Sequence, residues 1–145
     1  MAGLSTVHAG AARVRGRGVL IRGAPGSGKS SLLLSLIDGD ANAILVADDR
    51  VAVAARAGRL VASAPAEIAG LIEVRGVGIV RLPYAAEAAI DLVVDLVPPG
   101  DAPRLPAAPE RRVTIEGVPL SRIFIHAGAP DGAARVRAAL TGDIL

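Results

Sequence analysis

The sequence predicts an α/β fold: a mixed sheet with flanking helices. Three observations carry that reading. Short apolar runs bounded by glycine, proline and aspartate recur along the chain, as buried strands require. Two longer segments, "KSSLLLSLI" and "DGAARVRAALTG", read as helices. Between the first strands and the first helix lies "GAPGSGKSS", a glycine-rich stretch that fits a strand-to-helix turn.

The elements follow in order. "STVHA" and "GVLIR" read as two short strands, with residues 16–18 as the turn between them. "KSSLLLSLI" is apolar on most faces, so its helix should be well buried, and "DGDAN" breaks it. "AILVA" is a continuous apolar run and reads as a buried strand. "VAVAAR" and "LVAS" flank "AGR" as a hairpin. "LIEVRGVGIVRLPY" mixes strand formers with glycines, and "AIDLVVDLV" is a further strand. Residues 98–109 hold five prolines, which excludes a helix or a central strand there and leaves a long, mobile loop. "RVTIEGVPLSRIFIHA" returns to strand. The last helix has Asp131 near its start and Gly142 near its end.

Composition narrows the function classes. The chain has 145 residues, enough for one compact domain with its own core. That core is aliphatic, because there is no Trp, one Tyr (Tyr84) and one Phe (Phe124). So few aromatic side chains nearly exclude base stacking, which argues against a single-strand nucleic-acid binder, and no nucleic-acid partner is expected. The formal charge is only +2, and the fifteen arginines are scattered, with no run that reads as a phosphate-backbone footprint. The absence of cysteine excludes disulfides, thiolate metal sites and cysteine nucleophiles. No signal peptide and no apolar stretch of membrane-spanning length is visible, so the expectation is a soluble cytoplasmic protein with no membrane contact.

Residues 23–30 match G-x-x-x-x-G-K-[ST] at every fixed position: Gly23, Ala24, Pro25, Gly26, Ser27, Gly28, Lys29 and Ser30. Each part has a physical task in holding a nucleoside triphosphate. The glycines let the backbone fold tightly, so that N–H groups point at phosphate oxygens. The helix N-terminus adds partial positive charge. Lys29 places a compact cation on the β- and γ-phosphates, and Ser30 offers a hydroxyl to Mg²⁺. Lys29 is the only lysine in the chain. A bulky planar guanidinium would not serve where a point charge on a thin stem is needed. The bland alternative is a glycine-rich turn that binds nothing.

"AILVADDR" puts Asp48 and Asp49 at the end of the next strand, where ligands of open α/β sheets bind. Two adjacent carboxylates point in different directions and can divide metal holding and proton transfer. A solvated turn is the alternative. His8 sits in a short strand, where a lone histidine is more often structural. Glu73 lies among apolar neighbours; if buried it needs a partner, and a metal or Arg75 would serve. His126 lies in an apolar strand with no functional signal.

Together, His8, "GAPGSGKS", "VADDRV" and "LIEVRGVGI" resemble the catalytic domain of HPr kinase/phosphorylase, in the short form seen in α-proteobacteria. The resemblance covers roughly residues 4–126. It implies a P-loop fold of the phosphoenolpyruvate-carboxykinase-like type, with residues 1–145 as one catalytic domain. It implies an ATP- and Mg²⁺-dependent kinase acting on a serine of the phosphocarrier protein HPr, in a homo-oligomer that is hexameric in the family. His8 and Asp49 match the family's active-site histidine and aspartate, with Asp48 the adjacent acid. Lys29 matches the catalytic lysine, and Ser30 and Glu73 match the Mg²⁺ ligands. Arg104 is the candidate for the mobile-loop arginine. "GVPLSRIFIHAG" matches poorly the segment tied to the phosphorylase direction, so the kinase direction is the firmer expectation. Two other readings stay open: a small-molecule kinase with an adenylate-kinase-like loop, and a non-catalytic regulator that binds ATP.

Overall fold

The computed structural model describes residues 4–145. Strand β1 (Ser5–Val14) turns back into β2 (Arg17–Arg22), and the glycine loop leads from β2 into helix α1 (Lys29–Asp38). Then come β3 (Ile44–Ala47), the hairpin β4 (Arg50–Arg56) and β5 (Arg59–Ser63), and a second hairpin, β6 (Leu71–Val74) and β7 (Gly78–Arg81). Strand β8 (Ala88–Val97), the proline-rich segment, β9 (Arg112–Ile115), β10 (Val118–His126) and helix α2 (Gly132–Thr141) complete the chain.

Eight strands form one mixed sheet, and β6 and β7 form a separate two-stranded one. β1 divides its partners: residues 5–8 pair with β4, and residues 9–14 pair with β2, with β3 on the other edge of that half. β8 lies parallel to both β2 and β10, while its first residues pair antiparallel with β5. The pairings β1–β2–β8–β5–β4–β1 therefore close a ring, a small barrel-like arrangement set into the sheet.

Alternation splits the core into two layers. Leu20, Ala11 and Val93 face the ring and pack with Val51, Val53 and Leu60. Val19, Ile21, Val94 and Leu96 face the helices and pack with Leu33 and Leu36 of α1 and Val136 and Leu140 of α2. Most of β2 and β8 is buried on both faces, which is why "VLI" and "LVV" read as apolar runs; Asp91 and Asp95 interrupt β8 where it meets the Gly18 N–H and the arginines. Gly18 is required by proximity: a Cβ there would sit 2.0 Å from the Ala89 carbonyl oxygen on β8.

Several expectations change in detail. The first turn is at Arg15–Gly16, both with positive φ (53° and 75°), and Gly18 lies inside β2 instead. β1 runs five residues beyond "STVHA": Gly10, Ala11, Ala12 and Val14 are small enough to be buried between β2 and β3, while Arg13 points outward. The proline-rich segment is irregular, as expected, except for a single 3₁₀ turn at Ala108–Arg111. Asp131 and Gly142 stand at the two ends of α2, the Asp131 carboxylate accepting from Arg135 rather than from the helix N–H groups. No helix among the described residues is long and apolar enough to cross a membrane.

Candidate functional site

The site is built where β2, β3 and β6 meet the start of α1. The glycine loop leaves β2 after Arg22, whose guanidinium is gripped by Asp95 through two hydrogen bonds of 2.8 and 2.9 Å. Arg122 approaches the same carboxylate at 3.4 Å and stacks over the Phe124 ring, 4.6 Å from its centre. The root of the loop is thus fixed to β8 and β10 by charge. Gly26 and Gly28 have φ of 78° and 95°, values that favour glycine, and Ser27 N–H donates to the Ala24 carbonyl at 3.0 Å. α1 starts directly after Gly28, and its first-turn backbone N–H groups face the loop. Lys29 Nζ donates to the carbonyls of Gly23 (2.8 Å) and Ala24 (3.1 Å), so the only lysine spans the loop's mouth.

The two aspartates are not equivalent. Asp48 is 4% exposed. Its carboxylate accepts from Ser30 Oγ at 2.7 Å and from the Glu73 backbone N–H at 3.1 Å. Asp49 is exposed and has φ of 69°, while Arg50 N–H donates to the Asp48 carbonyl at 2.8 Å. An i to i+2 hydrogen bond around a residue of positive φ is a γ-turn, a strained conformation of the kind that clusters at functional sites.

A cavity of about 320 Å³ gathers Lys29, Ser30, Asp49, Glu73 and Arg75. Pro25, Gly26 and Gly28 of the loop also line it, so seven of the expected site residues meet, and Asp48 stands directly behind Ser30. Glu73 is exposed, so the need for a buried partner does not arise, and it forms no ion pair with Arg75 among the described residues. His8 pairs with Arg50 across β1 and β4, next to Asp49, but hydrogen-bonds neither carboxylate and does not line this cavity. Arg104 lies elsewhere, in the wall of a different cavity formed with β10 and the end of the chain.

A second cavity, of about 310 Å³, lies on the other flank of the loop and shares Gly28 and Ser31 with the first. Leu96, Ile125 and Ala129 give it apolar walls, and His126 and Ser27 give it polar ones. Ser27 Oγ is buried there without a hydrogen-bond partner. The sequence did not mark His126, because no spacing motif links it to the loop; only the parallel pairing of β10 with β8 brings it near.

Oxygen donors suited to a hydrated Mg²⁺ are present: the Ser30 hydroxyl and the Asp49 and Glu73 carboxylates line one cavity. Among the described residues no cluster of three or more His, Asp or Glu forms a metal cage. Mg²⁺ is commonly held by one or two carboxylates, with waters and phosphate oxygens completing the shell.

A mixed α/β domain with a strand, a glycine loop and a helix around these acids is the class defined by the fold and site. The chain belongs to the HPr Serine kinase C-terminal domain family, whose model matches residues 1–123. It is similar to HPr kinase/phosphorylase of Clostridium tetani, 41% identical over 81 residues, covering 54% of this chain and 26% of that protein. It is also similar to HPr kinase/phosphorylase of Lactococcus lactis subsp. lactis, 47% identical over 77 residues, covering 52% of this chain and 24% of that protein. A solved structure of the Hpr(Ser) kinase/phosphatase from Coxiella burnetii superimposes with a TM-score of 0.78 and 26% identity, covering 94% of this chain and 93% of that chain. The aligned regions span about a quarter of the length of those curated relatives.

Proposed function

We propose that this chain is a P-loop catalytic domain, residues 1–145, that transfers the γ-phosphoryl group of ATP to a serine of HPr. The observation that carries the proposal is the cavity that joins Lys29, Ser30, Asp49 and Glu73 at the head of α1, with Ser30 tied to buried Asp48. Family membership and the names of the relatives support the substrate.

Each residue has a part set by its geometry. The loop N–H groups and the N-terminus of α1 hold the phosphates. Lys29, released from the Gly23 and Ala24 carbonyls, meets the charge that builds on the transferred group. Ser30 and Glu73 would hold Mg²⁺, which neutralises phosphate charge when bound. Asp48 orients Ser30. Asp49, exposed in the cavity, takes the proton as the serine oxygen attacks phosphorus and ADP leaves. The apolar cavity beside the loop suits a nucleoside, which favours ATP over pyrophosphate as donor. His8, one strand away from Asp49, has no assigned step. Arg104 lines a different cavity and has no assigned step.

The test is incubation with ATP, Mg²⁺ and HPr, followed by mass spectrometry of HPr. A single added phosphoryl group on a serine is expected. Unmodified HPr, with ATP consumed on small alcohols instead, would refute the assignment.

A further inference from the structure

The arginines look scattered along the sequence, but the fold gathers them. A cavity of about 800 Å³ opens between the proline-rich segment, β10 and the chain's last residues. Arg104, Arg111, Arg112, Arg122 and Arg135 line it, and no Asp or Glu does. Five of fifteen arginines share one wall in a protein whose formal net charge is +2.

Three of the five are already engaged. Arg111 donates to the main-chain oxygens of Pro106 and Leu145, both at 2.8 Å, and so ties the two walls together. Arg122 is shared between Asp95 and the Glu110 carbonyl, and Arg135 pairs with Asp131. Arg104 and Arg112 have no ion-pair partner among the described residues. Apolar surface adjoins them: Leu105 is 81% exposed and Leu145 99%, and Phe124 lies in the same wall.

This mixture selects its occupant. A small inorganic anion would satisfy the guanidinium groups but leave most of the space and the apolar wall uncovered. A single-stranded nucleic acid needs free aromatic faces for stacking, and Phe124 is already partly covered by Arg122. A peptide with carboxylates and apolar side chains meets both halves, since arginine forks bind carboxylates in a bidentate way. We propose that this groove docks an acidic segment of a partner protein. Its Asp or Glu side chains meet Arg104 and Arg112, and its apolar side chain lies against Leu105 and Phe124.

The test uses the whole chain without nucleotide, so it stands apart from the kinase reading. The probe is a fluorescein-labelled octapeptide in which Glu alternates with Leu and Phe, followed by fluorescence anisotropy. Saturable binding is expected that falls steeply with added salt. Arg112→Glu should weaken it about tenfold and Leu105→Ser about threefold, with thermal melts unchanged because both side chains are exposed. Absence of binding overturns the proposal. So does an octapeptide of Glu alone that binds as tightly, or displacement of the probe by equimolar inorganic phosphate, either of which marks a plain anion site. A single-stranded DNA oligomer that binds more tightly than the peptide also overturns it.

Discussion

Ser30 Oγ donates to Asp48 Oδ1 across 2.7 Å, and this bond latches the first turn of α1 to the end of β3. The other Asp48 oxygen takes the Glu73 N–H, so one buried carboxylate joins three elements. Asp48→Asn keeps the volume but must turn an NH₂ toward one of two donors. A loss of about 1–3 kcal/mol is expected in urea unfolding, the cost of an unmet buried donor. Turnover should fall as well, because Ser30 loses its fixed orientation. An Asp48→Asn protein as stable and as active as the parent would remove the latch from the account.

Lys29 bridges the mouth of the loop without packing into the core. Lys29→Ala should therefore change stability little while lowering HPr phosphorylation by about 10²-fold or more, since its contact strengthens in the transition state. Lys29→Arg should fail similarly, because the planar fork cannot occupy the same narrow place. Single-turnover assays would show this, and near-normal turnover of the arginine variant would refute it.

Asp49 sits in a γ-turn with φ of 69°. Asp49→Asn should cut turnover by about 10²-fold while ATP affinity, read by calorimetry, changes much less. Asp49→Gly should lose the same activity yet hold its stability, as glycine accepts that backbone freely. Asp49→Val should lose about 1–2 kcal/mol in addition. Equal stability of the glycine and valine variants would show that the turn carries no strain.

The frame of the site was legible in the sequence because its parts are local. A strand, a glycine loop and a helix follow one another within residues 17–38, and "VADD" places its acids by strand length alone. What depends on distant pairing was not legible. Asp48 and Asp49 look alike in sequence, and only the contact of β6 with the end of β3 buries one and leaves the other in the cavity. His126 and the arginine wall likewise arise where β10 lies beside β8, a parallel pairing that no local spacing encodes. The apolar setting of Glu73 left its burial open; a two-stranded hairpin has one open face, and Glu73 is on it.

Asp95 holds Arg22 and Arg122 together with only 14% of its side chain exposed. Asp95→Ala leaves two guanidinium groups without a carboxylate. The expected loss is about 2 kcal/mol, below that of a fully buried pair because both arginines reach solvent. ATP affinity should also weaken, as Arg22 immediately precedes Gly23. Urea unfolding and calorimetry would measure the two effects, and a neutral substitution would show that the grip is incidental.

Asp131 is held below the ordinary carboxylate value of 3.8, first by its hydrogen bond from Arg135, and Asp40 likewise, first by the Asn42 N–H. A carboxyl depressed in the folded state binds fewer protons there than in the unfolded chain. Its contribution is therefore complete above about pH 4 and is lost as pH falls through the folded value. Melting curves across that acid range should be flatter for Asp131→Asn and Asp40→Asn; unchanged acid sensitivity in both variants would contradict the assignment.

The ring of β1, β2, β8, β5 and β4 also sets an order of assembly. Arg22 and Asp95 stand 73 residues apart in the chain, so β2 gains its second neighbour only after β8 has been made and has arrived. A nascent chain that ends before β8 carries the whole glycine motif in its sequence but not the floor on which the loop rests. Nucleotide capture should therefore appear late in folding and together with ring closure, at the slow rate that distant strand pairing imposes.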